Sequence, residues 1–139
     1  MSFNKLYNTK NPNQGPEKRV LCLCSAGLLR SPTVAWVLGN APYDYNTRAA
    51  GTSHEFALVG VDEYLICWAD EIVCVSSQIH ERLLAYCKEH EIDLSGTPVV
   101  VLDIPDIYQR RAPKLVALIE KQYQEYQHAE PEMIAREAQ

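Results

Sequence analysis

The stretch Val20–Gly39, VLCLCSAGLLRSPTVAWVLG, decides how the rest of the chain is read. A short apolar run, Val20-Leu21-Cys22-Leu23, ends at Cys24. Arg30 follows six residues later, and after Ser31-Pro32 the positions Val34, Val37 and Leu38 fall on one helical face. The pattern predicts a strand, an anion-sized loop and a helix. A sulfur nucleophile ends the strand, a planar cation sits at the far end of the loop, and the helix N-terminus supplies backbone N–H groups between them. Ala26 and Gly27 keep the loop free of bulk, so that the amides of Ser25 to Arg30 can turn inward. An arginine fork holds two equatorial phosphoryl oxygens and matches their growing charge, which a lysine does less well. The chemistry such a loop suits is attack of a thiolate on a phosphate ester.

Working outward, Gly39-Asn40-Ala41-Pro42 stops the first helix, and Tyr45–Ala50 reads as a short second strand broken by Gly51. Val61, Leu65, Trp68 and Ala69 make one helix face, with Asp62 and Glu63 in its first turn. Ile72-Val73-Cys74-Val75 is a continuous apolar run, as expected of a strand covered on both faces. Ser76-Ser77 offers an N-cap for a helix burying Ile79, Leu83, Tyr86 and Cys87. A turn region from Asp93 to Pro98 leads to Val99-Val100-Val101-Leu102, again fully apolar. Pro113 then opens a long helix with Leu115, Leu118, Ile119, Tyr123 and Tyr126 on one face.

The order β-α-β-α-β-α-β-α predicts an α/β fold: a single three-layer domain with about four parallel strands and helices on both faces. Ligands of such sheets bind at the carboxyl ends of strands, where the chain order switches. Cys24, Ser76-Ser77 and the segment Asp103–Asp106 all converge on that edge. Ester cleavage also needs a proton donor for the departing oxide, and Asp103 and Asp106 are both candidates.

The chain has 139 residues, enough for one domain with a real core. Residues 1–18 lack periodicity and read as a loosely ordered arm, 19–127 as the domain, and 128–139 as a polar tail. With 13 Lys plus Arg against 18 Asp plus Glu, non-specific nucleic-acid binding is not encouraged. No apolar stretch has the length of a membrane span. Five cysteines, an odd number lying in or beside apolar runs, without a leader pattern, point to reduced thiols and a cytoplasmic setting. His54, His80, His90 and His128 have no metal-site spacing and are expected at the surface, whereas Trp36 and Trp68 are expected in the core or at its margin.

These residues resemble the low-molecular-weight protein tyrosine phosphatase superfamily, in a compact, atypical form. Cys24-Ser25-Ala26-Gly27-Leu28-Leu29-Arg30-Ser31-Pro32 is similar to the family's phosphate loop, and Arg48-Ala49-Ala50-Gly51-Thr52 to its Ser-Ala-Gly-Thr stretch. Ala69-Asp70-Glu71-Ile72-Val73 is similar to its Ala-Asp-x-Ile segment, and Ile104-Pro105-Asp106-Ile107-Tyr108 to its Asp-Pro-Tyr loop. The resemblance implies a flavodoxin-like strand order. It implies hydrolysis of phosphotyrosine or another aryl phosphate through a phosphocysteine, without metal or cofactor. It further implies Cys24 as nucleophile, Arg30 as phosphate clamp, and residues Ser25, Ala26, Gly27, Leu28, Leu29 and Ser31 as the remaining phosphate cradle. Ser31 would also steady the thiolate. Asp106 becomes the preferred acid, because Tyr108 then falls where the family places an aromatic wall beside the substrate ring. The departures are Gly27 for the family's loop Asn, Leu29 for its second loop Cys, Ile107 for the Pro after the acid, and a short connection from Gly51 to Val61.

Three rival readings share the loop. A phosphocysteine carrier domain of sugar transport can also read Cys-Ser-Ala-Gly, but Arg30 and the late acid pair serve ester cleavage rather than storage. An arsenate reductase relays electrons through further cysteines. Cys67 and Cys74 have a suggestive spacing, yet both, like Cys87, are expected to be buried packing. A phosphate-binding pseudoenzyme would have no use for the acid.

Overall fold

The computed structural model describes residues 17–25, 30–55, 57 and 59–138, with side chains to residue 128. Its elements follow the expected alternation. They are β1 (Arg19–Cys24), α1 (Arg30–Leu38), β2 (Asn46–Gly51), α2 (Glu63–Trp68), β3 (Glu71–Cys74), α3 (Ser77–Glu89), β4 (Val99–Val101) and α4 (Pro113–Ala138). The four strands form one parallel sheet in the order β2-β1-β3-β4. Parallel neighbours require crossovers, and the chain goes from β1 outward to β2, then back past β1 to β3 and on to β4. On one face α1 packs on β1 and β2 and meets α4. Most of the expected arm lies outside the described residues, and the expected tail continues as the last turns of α4.

The apolar runs explain the layering. Val20, Leu21, Cys22 and Leu23 are wholly buried, as are Ile72, Val73 and Cys74, because β1 and β3 occupy the middle of the sheet and are covered on both faces. The edge strand β2 is buried throughout as well, and the chain beyond it returns to its last residue, where Gly51 pairs with Gly60. The chain is close at Gly60, where a Cβ would sit 2.8 Å from Cδ2 of His54 and the imidazole would have to move aside. β4 departs from the expectation of a fully covered run. It is the other edge, and Val101 is 41% exposed while Val100 is buried. A sequence of four apolar residues does not reveal which of them lacks a neighbour.

Helix ends follow their capping residues. The Asp62 carboxylate accepts from the Leu65 amide at 2.9 Å, and the Ser76 hydroxyl from the Ile79 amide at 3.3 Å. At the other end of α3, Ile92 N–H returns to the Cys87 carbonyl at 2.8 Å, which sets Glu91 in the left-handed region at φ 56°. That conformation favours glycine, and Glu91 is exposed. Glu91→Gly should therefore stabilise the fold by about 0.5–1 kcal/mol, read as a raised urea midpoint at unchanged slope.

At the amino edge of the sheet, Glu71 is 3% exposed and accepts from the Tyr123 hydroxyl at 2.7 Å and from Lys18 Nζ at 3.1 Å. Burial and this carboxylate push the Tyr123 phenol far up, so it donates at every physiological pH. Tyr43 and Tyr45 surround the Tyr123 ring edge-on. Tyr123→Phe deprives a buried carboxylate of a donor while keeping the ring, and should cost about 1–3 kcal/mol in denaturant unfolding.

Candidate active site

Cys24 ends β1, an inner strand of the sheet, and lies where the chain order switches between β1 and β3. Its Sγ lies 3.1 Å from the Ser31 hydroxyl oxygen, and both side chains are almost completely buried. Ser31 is held in turn, its hydroxyl lying 3.4 Å from the Ala50 carbonyl of β2. Thr52 and Ser53 donate their amides to the Cys24 and Ser25 carbonyls, each at 2.9 Å, so the chain beyond β2 clasps the end of the strand. Ser25 begins the loop, and Arg30 and Ser31 begin α1. Ala26, Gly27, Leu28 and Leu29 lie outside the described residues.

Arg30 connects this group to the far strand. Its Nη1 donates to the Ile104 carbonyl at 2.9 Å, and its Nε lies 3.8 Å from Oδ1 of Asp106. The backbone beyond β4 reaches that position because it continues to pair with β3: Leu102 N–H bonds Cys74 and Ile104 N–H bonds Val75. Leu102 and Ile104 are buried and Asp103 between them is exposed, the alternation of an extended chain. The Asp103 amide and carbonyl are both bound by the Gln122 side chain of α4, at 2.7 and 3.0 Å. Asp106 therefore joins the cation at the loop, while Asp103 is engaged with the last helix. Arg111 N–H donates to the Thr33 hydroxyl at 3.1 Å, which ties the end of the acid segment to α1. Tyr108 in that segment is half-buried, and Ile107 beside the acid is 76% exposed.

The other cysteines separate into two kinds. Cys22 and Cys74 are wholly buried and Cys87 nearly so; burial pushes the Cys22 thiol well up and that of Cys74 up to about 12, as suits neutral packing groups. Cys67 departs from expectation: it is exposed on α2, where Leu65 and Ile66 instead face the core. No disulfide joins any of the five cysteines, and no cluster of metal-ligating side chains occurs among the described residues. His54, His90 and His128 are exposed and His80 half-buried, with His54 Nε2 2.6 Å from the Val61 carbonyl. Trp36 and Trp68 are half-buried.

One side chain at the site escaped the sequence reading. Arg82, in the second turn of α3, donates from Nη1 to the Ser25 hydroxyl at 3.3 Å. It stands 57 positions from Ser25, and its only signal was a place on the exposed side of a helix that begins at the ligand-binding edge.

The fold has counterparts among solved structures. Wzb of Vibrio vulnificus, solved in complex with benzylphosphonate, superposes with a TM-score of 0.57 at 20% identity, over 79% of this chain and 97% of that one. A low-molecular-weight phosphotyrosine phosphatase of Vibrio cholerae O395 superposes with a TM-score of 0.54 at 16% identity, over 76% of this chain and 91% of that one. No protein-family model and no curated protein matches the sequence. The shared feature is the architecture: a four-stranded parallel sheet flanked by helices.

Proposed function

We propose that this protein is a cysteine-dependent phosphatase that hydrolyses phosphotyrosine or another aryl phosphate monoester through a phosphocysteine. The observation that carries the reading is the contact between Cys24 Sγ and the buried Ser31 hydroxyl at the switch point of the sheet, with Arg30 opening the next helix. At 3.1 Å the hydroxyl can donate to a thiolate, the form of cysteine that attacks. Solved structures of this fold include a phosphotyrosine phosphatase and a complex with benzylphosphonate, an analogue of a phosphate ester.

In the first step the Cys24 sulfur attacks phosphorus, the S–P bond forms and the ester P–O bond breaks. Protonated Asp106 gives its proton to the departing phenolic oxygen. Arg30 and the loop amides from Ser25 to Ser31 hold the equatorial oxygens. Arg30 would meet the phosphoryl group with fork donors that its contacts with Ile104 and Asp106 leave unused, and the contact with Asp106 keeps the acid beside the loop. In the second step Asp106, now ionised, takes a proton from water as the oxygen attacks phosphorus, and the S–P bond breaks. The electron pair returns to sulfur, where the Ser31 hydroxyl supports it. Tyr108 would flank the substrate ring. No residue of this scheme calls for a metal or cofactor.

Five reduced thiols fit a cytoplasmic setting, and no helix among the described residues is long and apolar enough to cross a membrane. The decisive experiment is steady-state hydrolysis of phenyl phosphate and a phosphotyrosyl peptide, combined with acid trapping of phosphocysteine. Turnover with a trapped Cys24 adduct is expected. A stable adduct without turnover would favour a phosphocysteine carrier, and neither would sink both readings.

A further inference from the structure

The switch point between β1 and β3 has two lips. Cys24 and Ser25 form one, and the start of α3, capped by Ser76, forms the other. Ile79, Leu83 and Cys87 are buried and fix the roll of α3. Arg82 and Tyr86, four residues apart, share the flank of that stripe. Tyr86 stacks against His54, whose ring centroid is 5.3 Å away, and His54 belongs to the segment that clasps Cys24 and Ser25. Arg82 is thereby aimed along the same side, and its Nη1 reaches the residue that follows the nucleophile.

Among the described residues, Arg82 lacks the carboxylate partner that Arg30 and Arg19 have at the two ends of the sheet. Arg30 faces Asp106, and Arg19 is bound by Asp70 through Nη2 at 3.1 Å. Arg82 meets a neutral hydroxyl, and among the described residues no carboxylate forms an ion pair with it. Its guanidinium has five N–H donors, of which this contact uses one. The chain as a whole carries a formal charge of −5, so an uncompensated cation beside the loop stands against the general field. Arg82 is exposed, so it stands at the mouth of the site rather than under the phosphoryl group.

We propose that Arg82 is a specificity-determining residue: it selects phosphate esters that carry a carboxylate close to the phosphorylated ring. This rests on the phosphatase reading for the position of the ester, and adds the class of substrate. Two sources can present that group, an acidic residue flanking phosphotyrosine in a peptide and a carboxylate on the ring of a small aryl phosphate. The fork of the guanidinium suits either.

The test is calorimetric binding of non-hydrolysable phosphonates to the full chain. The probes are a phosphonate analogue of phosphotyrosine in peptides with Glu or Ala beside it, and benzylphosphonate with or without a ring carboxylate. Wild type should bind the carboxylated member of at least one pair about fivefold more tightly, with the preference falling as salt is raised. Arg82→Ala should abolish the preference, Arg82→Lys keep part of it, and Arg82→Glu invert it. A preference confined to the peptides assigns a protein substrate, and one confined to the ring assigns a small molecule. The inference is overturned if wild type binds both members of each pair equally or binds none of the probes. It is also overturned if Arg82→Ala leaves the ratio intact or only weakens all the probes alike. Because this readout needs no turnover, phosphonate selectivity without hydrolysis would reject the phosphatase reading alone. Hydrolysis without selectivity would reject the role of Arg82 alone.

Discussion

Cys24→Ser should lower turnover of an aryl phosphate by about 10⁴-fold or more and remove the trapped phosphoenzyme altogether. The expectation follows from the position of the sulfur, 3.1 Å from a buried hydroxyl and at the end of an inner strand. A serine there presents a far weaker nucleophile, since its hydroxyl ionises far less readily than a thiol. The substitution changes one atom in a buried position, so the variant should unfold within about 1 kcal/mol of wild type. That comparison separates lost chemistry from lost structure. Residual turnover close to wild type would mean that another group attacks phosphorus. The exposed Cys67 is the control: Cys67→Ser should leave hydrolysis unaltered, since its side chain faces outward from α2, and Cys24 and Arg30 hydrogen-bond with Ser31 and Ile104.

Asp106→Asn should cost about 10²-fold to 10⁴-fold with phenyl phosphate, and Asp103→Asn no more than a few-fold. The two carboxylates are three residues apart and both exposed, yet they are engaged differently. Asp106 approaches Arg30, and the backbone of Asp103 is bound on both sides by Gln122. The leaving group supplies a second test of the assignment. Replacing phenol by a strongly acidic nitrophenol removes the need for a proton, so the Asp106→Asn deficit in phosphoenzyme formation should shrink steeply as the leaving group becomes more acidic. A deficit independent of leaving group would place Asp106 in binding rather than proton transfer. A larger loss in Asp103→Asn would exchange the two roles.

Much of this was legible from local pattern. An apolar run followed by Cys24, a small-residue loop, Arg30 and an amphipathic segment specifies strand, loop and helix through interactions within about twenty residues. Ser76 declared a helix start because capping is also local: a side-chain oxygen meets an amide three residues on, and Asp62, expected inside the first turn, proves to cap α2 in the same way. Leu115, Ile119 and Tyr123 declared the buried stripe of the last helix by their spacing, and all three are wholly buried. Cys67 and Val101 were misread for one shared reason. Each is an apolar residue in an apolar run, and its exposure depends on whether another element arrives to cover it.

The sequence by itself determined the alternation of strands and helices, the parallel sheet this requires, and the placing of Cys24, Arg30 and Ser31 around one loop. Those properties come from periodicity, capping and short spacing along the chain. The resemblance already implied a flavodoxin-like strand order and Asp106 as the acid. The tertiary structure shows the order β2-β1-β3-β4 and the approach of Asp106 rather than Asp103 to Arg30, and it alone decided the reach of Arg82 to Ser25. Each depends on which strands become neighbours and how each helix rolls onto the sheet. Those outcomes are set by the joint burial of residues far apart in the chain, and such a sum over distant contacts leaves no local mark on any one of them.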